Sequence, residues 1–269
     1  MTTSARSVLK SLVPAPARAL WRRWFGWRWL RGDYATWEAA VIAAGVTSSK
    51  ADRVVAAARA VRDGRAAWER DGVTFAAAEP HPPLLAALQA AAAAEGGRLE
   101  VVDYGGALGS AWHQHRAWLP AATAWRVVEV PALVAAGRRE FADATLSFHA
   151  TVDEAVATGK PATLLLSSVL QYLPDPMALL ATEAGRGWRD IILDRTALDP
   201  TGRGRICVQH TPAGLGGGCM ACRVFNREQL LAPLARDYEL AAEWPVAFDA
   251  VDGTAEYRGF HFRRRGAGG

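Results

Sequence analysis

The chain has 269 residues, of which 51% are hydrophobic and 22% charged, and its formal net charge is +4. This length and apolar content predict one large globular unit with a sizeable core and argue against a disordered or fibrous chain. Three cysteines are too few for a disulfide framework and indicate a reducing compartment, so we expect a cytoplasmic protein. We expect no transmembrane helix and no signal peptide, because no apolar stretch is long enough and prolines interrupt the N-terminal region.

Residues 1–32 form a basic leader that contains no acidic residue. Trp21, Trp24, Trp27 and Trp29 are interleaved with its arginines, a pattern that suits peripheral contact with an anionic membrane at the inner face. The alternative is a leader whose tryptophans dock on the protein's own surface. Nothing in the chain resembles a base-stacking module, so we expect no nucleic-acid partner.

Residues 33–97 are predicted to be a helical extension. Thr36 is placed to cap a helix that Gly45 ends, and Pro82 and Pro83 suit the first turn of another. The predicted helices cover 36–44, 48–64 and 82–94.

From residue 98 the apolar pattern alternates between strands and helices. The strand candidates are 98–103, 125–130, 145–149, 162–168 and 189–194; the helix candidates between them are 109–118, 131–142, 152–158 and 176–186. This alternation predicts a doubly wound parallel sheet, whose ligands bind at the carboxyl ends of the strands. A Gly- and Pro-rich, lid-like insertion follows at about 199–225, with a short apolar run at 205–209. Asn226 is placed to cap a helix to Ala235, and strands at 238–246 and 256–264 would pair as a hairpin and complete a domain spanning 98–265.

A glycine-rich turn follows the first of these strands. Asp103 ends the strand, Gly105, Gly106 and Gly109 follow, and Ser110 opens a helix. A strand, a glycine turn and a helix N-terminus form a cradle for a nucleotide-like ligand. Glu129, at the end of the next strand, is placed to accept hydrogen bonds from ribose hydroxyls; the alternative is a solvated acid at a strand end.

The acid before the glycines decides between two cofactors. Asp103 would oppose the pyrophosphate of a nicotinamide dinucleotide, whereas it would attract the ammonium and sulfonium of S-adenosylmethionine. The sequence therefore favours S-adenosylmethionine. The predicted cofactor-binding residues are Asp103, Tyr104, Gly105, Gly106, Leu108, Gly109, Ser110, Glu129, Val130 and Ser168.

Polar residues at the later strand ends suggest the acceptor side. Asp194 could act as a general base, and Arg195 could hold an acidic substrate group; alternatively the two neutralise each other and fix the loop. The predicted catalytic residues are Gln171, Tyr172, Asp194, Arg195 and His210. Cys219 and Cys222, with Cys207 and His210, leave a zinc site as a minor alternative, but a second regular ligand pair is missing and we predict no metal.

Several stretches resemble a family of class I methyltransferases associated with bacterial surface-polysaccharide gene clusters, whose substrate is not established. They are Gly32-Asp-Tyr-Ala-Thr-Trp-Glu-Ala39, Pro83-Leu-Leu-Ala-Ala-Leu88, Val102-Asp-Tyr-Gly-Gly-Ala-Leu-Gly-Ser110, Val127-Val-Glu129, Leu166-Ser-Ser-Val-Leu-Gln-Tyr-Leu173, Ile192-Leu-Asp-Arg-Thr196 and Tyr257-Arg-Gly-Phe-His-Phe262. The resemblance implies an α/β, Rossmann-like methyltransferase sheet of seven strands, mostly parallel, with a C-terminal antiparallel hairpin. The chain departs from the family pattern around 214–223.

We therefore expect an S-adenosylmethionine-dependent methyltransferase that methylates an oxygen atom of a glycan-like or small-molecule acceptor. Two alternatives remain open: a nicotinamide-dependent oxidoreductase on the same fold, and a catalytically silent assembly factor recruited to a membrane.

Overall fold

A computed structural model of the protein describes residues 29–45, 51–157, 162–211, 217–246 and 254–266. The strands are β1 Leu30–Tyr34, β2 Trp68–Arg70, β3 Val73–Phe75, β4 Leu99–Tyr104, β5 Thr123–Val128, β6 Leu146–His149, β7 Thr163–Ser167, β8 Asp190–Leu198, β9 Arg205–His210, β10 Cys219–Val224, β11 Tyr238–Pro245 and β12 Glu256–Arg264. The α-helices are α1 Trp37–Ala44, α2 Ala51–Arg62, α3 Pro82–Ala94, α4 Ser110–His115, α5 Pro131–Glu140, α6 Val152–Val156, α7 Pro176–Arg186 and α8 Arg227–Leu231.

The central sheet has seven strands in the order β11-β12-β8-β7-β4-β5-β6. The strands from β8 to β6 are parallel to one another, whereas β12 runs antiparallel to both β8 and β11. This arrangement confirms the predicted fold class, a Rossmann-like, mostly parallel sheet that ends in an antiparallel pair.

The middle strands of the sheet are buried on both faces, which explains their continuous apolar runs. Val101, Leu165 and Ile192 belong to one core cluster, which also contains apolar residues of α3 and α5. Val102, Leu164, Leu166, Ile191 and Leu193 belong to the other, which contains apolar residues of α7 and α8. Helices thus cover both faces and leave the carboxyl edge of the parallel strands open for a ligand.

Helix starts follow the predicted caps. The side chain of Thr36 accepts a hydrogen bond from the Ala39 amide, and that of Asn226 accepts one from Gln229. The last predicted helix is shorter than expected, because α8 ends at Leu231 and a 3₁₀ turn follows at Ala232–Leu234. The predicted helix at 109–118 is likewise divided into α4 and a 3₁₀ turn at Arg116–Trp118.

The segment preceding the central sheet is not wholly helical, contrary to the prediction for 33–97. Strand β1 begins within the predicted leader and pairs antiparallel with β9, while β2 and β3 form a hairpin. The hairpin turns at Asp71 and Gly72, whose φ angles are 53° and 78°. An Asp-Gly pair between short strands is a sequence signal for such a turn, and helical periodicity on either side obscured it. Residues 1–28 of the leader lie outside the described residues.

The region predicted to be a lid-like insertion contains two regular strands. β9 and β10 form a three-stranded sheet with β1, while residues 212–216 lie outside the described residues. Cys207 lies opposite Cys222 and His210 opposite Cys219. Because residues three apart on a strand point to opposite faces, these two pairs cannot share one metal ion. Within the described ranges no group of three or more His, Cys, Asp or Glu residues is arranged so that it could hold a metal ion, and no helix is long and apolar enough to span a bilayer.

Candidate active site

A cleft opens at the carboxyl edge of the sheet. The strand ends of β4, β7 and β8 form one side, and the β2–β3 hairpin, α3 and α4 form the other. The lining residues are Trp68, Arg70, Asp71, Leu84, Asp103, Gly105, Gly106, Ala107, Ser110, Ala111, Gln114, Ser167, Ser168 and Arg195.

Backbone strain is concentrated in this cleft. Among the described residues, four that are not glycine have a left-handed φ: Asp71 at 53°, Ala107 at 53°, Ser168 at 56° and Arg195 at 52°. All four line the cleft. A left-handed residue with a Cβ costs about 1–2 kcal/mol, and such residues cluster where function requires a particular geometry. The strain therefore makes this cleft the candidate functional site.

The glycine turn lies directly against the Asp103 carboxylate. A Cβ at Gly106 would overlap both oxygens of that carboxylate, so only glycine fits there. Gly109 has a φ of 88° and precedes the first residue of α4. The turn thus holds its backbone against an acidic side chain.

Asp103 is 1% exposed and lines the cleft. Burial raises the pKa of its carboxyl to about 7, opposed by a hydrogen bond from Trp125 and supported by the nearby charge of Glu129. The indole nitrogen of Trp125 donates to Oδ2 at 3.0 Å. A buried carboxylate of this kind is stabilised by a cation that enters the cleft.

Glu129 follows β5 and points back to the glycine turn. Its two carboxylate oxygens accept hydrogen bonds from the backbone amides of Ala107 at 3.3 Å and Val130 at 2.6 Å. Burial raises the pKa of Glu129, although these two hydrogen bonds oppose the shift. The acidic group therefore lies beside the turn, where the sequence placed a ribose partner.

The hairpin β2–β3 is fastened to the same cradle. The Ser110 hydroxyl donates a short hydrogen bond to Glu69, whose other oxygen accepts from the Gly72 amide at 3.1 Å. Glu69 is 1% exposed, and burial raises its pKa. Ser110, predicted as a cofactor ligand, thus also connects the hairpin to the first turn of α4.

On the acceptor side, β8 contains a bulge at its cleft end. Leu193 pairs with Phe260 and Thr196 pairs with Arg258 of β12. Two residues of β8 between these pairs therefore lie opposite a single residue of β12. Arg195, with its left-handed φ, lies in this bulge and lines the cleft. A bulge changes the direction in which neighbouring side chains point. The consecutive residues Asp194 and Arg195 can therefore both lie at the carboxyl edge of the sheet.

Asp194 is fully buried and is surrounded by polar groups from distant parts of the chain. Oδ1 accepts from the Trp244 indole at 3.1 Å and lies 3.5 Å from Nε2 of His81. Oδ2 accepts from the Ser167 hydroxyl at 3.1 Å and lies 3.5 Å from Nε of Arg195. Because the carboxylate is fully buried and does not line the cleft, it can act on a ligand only through its neighbours.

His81 is the most notable neighbour, since its side chain remains 15% exposed. It precedes α3, and Leu84, one helical turn later, lines the cleft. Its backbone amide donates to Nε2 of His115 at 3.0 Å, while Nδ1 of His115 lies 2.8 Å from the Ala111 carbonyl. His115 is therefore the tautomer that carries its proton on Nδ1, and burial lowers its pKa. The neutral His115 anchors the backbone of His81 beside Asp194.

Of the other predicted catalytic residues, Gln171 supports this edge, whereas Tyr172 and His210 make their contacts in the three-stranded sheet. Gln171 is buried and donates to Ser168 Oγ at 3.3 Å and to the Arg195 carbonyl at 3.2 Å, so it holds two strained residues. Tyr172 donates to the side chain of Gln209 at 2.7 Å, and Nδ1 of His210 lies 3.1 Å from the Cys219 sulfur.

The cleft brings six of the predicted site residues together: Asp103, Gly105, Gly106, Ser110, Ser168 and Arg195. The other predicted residues, all of them described, lie outside its lining: Tyr104, Leu108, Gly109, Glu129, Val130, Gln171, Tyr172, Asp194 and His210. Sequence reasoning missed Trp68, Arg70 and Asp71 of the lining. It also missed His81, which contacts Asp194 and lies outside the lining. The Asp-Gly turn was an available signal for the hairpin residues, whereas nothing local marked His81.

Comparisons with known proteins give distant likenesses. Neither a family model nor a curated protein matches the chain. The N-terminal domain of EvdMO1, crystallised in the presence of SAH and D-fucose, is 19% identical with a TM-score of 0.48, and the match covers 81% of this chain and 100% of that one. The glycopeptide N-methyltransferase MtfA, complexed with S-adenosylmethionine, is 14% identical with a TM-score of 0.46, and the match covers 66% of this chain and 94% of that one. Magnesium protoporphyrin IX methyltransferase from Synechocystis PCC 6803, with bound SAH, is 16% identical with a TM-score of 0.45, and the match covers 68% of this chain and 83% of that one. The fold assignment rests on the strand order.

Proposed function

We propose that the protein is an S-adenosylmethionine-dependent methyltransferase. The observation that carries this proposal is the buried carboxylate of Asp103 against the glycine turn. A dinucleotide would bring its pyrophosphate to that acid, whereas the ammonium of a methionine moiety would neutralise it. Glu129, beside the same turn, would accept hydrogen bonds from the ribose once it exchanges its present backbone donors.

The acceptor in this proposal is a hydroxyl group. S-adenosylmethionine would supply a methyl group activated by a sulfonium. His81, which lies outside the cleft lining, would take the proton of the acceptor hydroxyl through one bridging water, and Asp194, 3.5 Å from its buried Nε2, would orient the imidazole. Asp194, proposed from the sequence as a base, thus becomes a positioning residue. Much of the acceleration would come from alignment of the acceptor, because methyl transfer is an in-line displacement.

Two guanidinium groups support an acceptor with an acidic substituent. Arg195 lines the strand side of the cleft and Arg70 the hairpin side. A planar guanidinium binds carboxylates and phosphates through paired hydrogen bonds. We propose a glycan-like acceptor of bacterial surface-polysaccharide metabolism, and the gene-cluster association of the similar family supports this choice.

Calorimetry with the full chain tests the cofactor. We expect S-adenosylhomocysteine to bind and NAD⁺ not to bind; the opposite result would favour the oxidoreductase. A screen of acidic sugars, sugar nucleotides and lipid-linked glycans would follow, with formation of S-adenosylhomocysteine as the readout. Binding without turnover on any acceptor would favour the silent assembly factor.

The basic leader supports a further part of the proposal, peripheral contact with an anionic membrane. Its arginines would meet lipid phosphates, and its tryptophans would lie at the interface. The full chain should sediment with phosphatidylglycerol vesicles and be released as salt rises. A chain without residues 1–28 should stay in the supernatant and keep its cofactor affinity; equal sedimentation of both chains would contradict the idea.

A further inference from the structure

Helix α1 presents adjacent apolar side chains to solvent near its C-terminal end. Ile42 is 81% exposed, the highest value for a large apolar side chain in the described part of the chain, and Val41 is 47% exposed. Ala43, which follows, is exposed as well. Single exposed apolar residues are ordinary on a protein surface, whereas contiguous ones indicate a contact surface. We call Val41, Ile42 and Ala43 the α1 patch.

The other side of α1 fixes the direction in which the patch faces. Ala40 is buried in a cluster with residues of β9 and β10, and Trp37 and Ala44 pack against the same cluster. These three positions are spaced by three and four residues and therefore share one helix face. Ile42 lies two residues beyond Ala40, on the opposite face. The three-stranded sheet therefore holds α1 with Ile42 directed away from it.

The helix runs along this sheet toward the point where the leader joins the fold. It begins at Trp37, whose ring centre lies 5.1 Å from the Arg223 guanidinium near the end of β10. It ends at Ala44, which packs against the same cluster as Cys219 at the start of β10. The C-terminal end of α1, with the patch, therefore lies toward the Cys219 end of the sheet.

The chain enters the fold at that same end. Cys219 pairs with His210, and the His210 amide donates to the Trp29 carbonyl at 2.6 Å. Trp29 is the first described residue, so residues 1–28 of the leader join the fold beside the α1 patch. Those residues include six basic side chains and three tryptophans but no acid. Apolar burial and attraction to anionic lipids together give interfacial binding that neither supplies alone.

The charges around α1 favour one orientation on such a surface. Arg31, Asp33 and Glu38 are exposed and together carry one net negative charge. Glu38 lies four residues before Ile42, which places it about 6 Å farther from the C-terminal end of the helix. A bilayer that meets α1 at its C-terminal end therefore contacts Ile42 and leaves Glu38 in water. The positive charge for this contact comes from the leader.

We propose that the α1 patch docks on an anionic lipid bilayer, with Ile42 inserted at the interface beside the leader. The proposal rests on the membrane contact of the leader that is proposed above, and it does not depend on methyl transfer. The patch is too small to hold the chain without the leader. Electrostatic attraction of the leader therefore sets the salt dependence of binding, and Ile42 adds affinity at every salt concentration.

Sedimentation of the full chain with phosphatidylglycerol vesicles tests the proposal. Ile42→Asn should weaken binding about tenfold at each salt concentration, because an apolar side chain is no longer removed from water, and should leave the dependence on salt unchanged. Leu240→Asn is the matched control: Leu240 is an exposed aliphatic residue of β11, at the edge of the central sheet. Both side chains are exposed, so neither change threatens folding.

The outcomes separate the α1 patch from the leader. Wild-type binding that Ile42→Asn leaves unchanged, or that Leu240→Asn weakens equally, would overturn the docking of α1 and leave the contact of the leader standing. A wild-type chain that does not sediment with the vesicles would overturn both.

A fluorescent label gives a second measurement that does not depend on affinity. An environment-sensitive fluorophore is attached to Ile42→Cys in a Cys219→Ser background, since the remaining cysteines, Cys207 and Cys222, are fully buried. Its emission should shift to shorter wavelength on phosphatidylglycerol vesicles. The same label at Leu240→Cys should not respond. An unchanged emission at position 42 in the vesicle-bound chain would overturn the proposal.

Measurements without vesicles test the two other occupants of the patch. A dimer in solution that Ile42→Asn converts to a monomer would show that a second copy of the chain covers it. A label at position 42 whose emission changes when residues 1–28 are removed would show that the leader itself covers it. Either result would overturn docking on a bilayer; we expect neither.

Discussion

The two halves of the cleft are built in different ways. In the cofactor half, Asp103 and Glu129 receive their hydrogen bonds from Trp125 and Ala107, in each case from 22 residues away along the chain. In the acceptor half, Asp194 is contacted by Trp244, 50 residues away, and by His81 from the segment before the sheet. One strand–turn–helix–strand unit forms the first half, whereas distant segments must fold together to form the second.

This difference explains what each half can do. A local unit fixes a cofactor cradle largely independently of the rest of the chain. The acceptor half depends on Gly259, where a Cβ would overlap the Trp244 indole, and on His115, which anchors His81. Substitutions in the acceptor half should therefore lower turnover and leave cofactor affinity unchanged. Substitutions in the cofactor half should lower cofactor affinity and leave turnover at saturating cofactor unchanged.

The largest expected effect comes from Asp194→Asn in the acceptor half. We expect turnover on an authentic acceptor to fall about 10²–10⁴-fold, the usual range for the loss of general-base catalysis, because the imidazole of His81 is no longer oriented. His81→Gln should lower turnover by a similar factor. The double variant should lower turnover no further than either single variant, because the two side chains act as a unit. S-adenosylhomocysteine affinity should stay nearly unchanged.

Asp190→Asn is the matched control for this prediction. Asp190 lies on the same strand, is equally buried and contacts a histidine, His261, at 2.6 Å, but it lies at the opposite end of β8. The Asp190→Asn substitution should lower the free energy of unfolding and leave the turnover of the folded protein unchanged. Equal turnover losses in Asp190→Asn and Asp194→Asn would show that Asp194 has only a structural role.

In the cofactor half, Gly106→Val should have the larger effect. The new side chain would overlap the Asp103 carboxylate, and overpacking of this kind costs about 1–3 kcal/mol. Affinity for S-adenosylhomocysteine should fall on the order of 10- to 100-fold in calorimetry. Gly185→Val, in α7, meets no heavy atom within 4 Å and should leave affinity unchanged. Unchanged affinity in Gly106→Val would place the cofactor elsewhere.

Glu129→Ala tests the ribose contact of the same half. We expect a loss of about 1.5–3 kcal/mol in S-adenosylhomocysteine binding, because two charge-assisted hydrogen bonds are removed. Glu154→Ala, an exposed acid of α6, serves as the comparison and should bind normally. An unaltered affinity in a folded Glu129→Ala variant would remove Glu129 from the site.

The same division describes what the sequence could predict. Alternating apolar segments determine a parallel sheet, and an acid followed by glycines indicates the cradle at its edge. Because both are local patterns, the order of elements and the position of Asp103 follow from them. The contacts of His81 and Trp244 with Asp194 depend on how distant segments pack, and no local pattern encodes them. The hairpin at Asp71 and Gly72 had a local signal that the surrounding helical periodicity obscured.

A pH dependence should also separate the halves. The folded pKa of Asp103, about 7, lies above its unfolded value, so the unliganded fold takes up a proton as pH falls through 7 and gains stability down to the unfolded pKa. A ligand that places its ammonium group against Asp103 needs the ionised carboxylate and must displace that proton. Affinity for S-adenosylhomocysteine should fall by up to about tenfold per unit below about pH 7. Asp103→Asn should bind weakly and without this dependence; a parallel pH profile in wild type and variant would refute the assignment.

The smallest effect concerns the strain in the cradle. Ala107 has a φ of 53°, and glycine there would relieve about 1–2 kcal/mol of strain while adding roughly 0.5–1 kcal/mol of unfolded-state entropy. Ala107→Gly should therefore raise stability by up to about 1 kcal/mol, or roughly 2–4 °C in Tm. Ala135→Gly, at an exposed position of α5, should instead lower stability by about 1 kcal/mol. The same substitution thus has opposite signs at the two positions if strain is stored in the cleft. Since the strained residue holds its amide toward Glu129, Ala107→Gly should also weaken S-adenosylhomocysteine severalfold despite its higher Tm. A lower Tm for both variants would show that position 107 is not strained, and the concentration of left-handed residues would then say nothing about function.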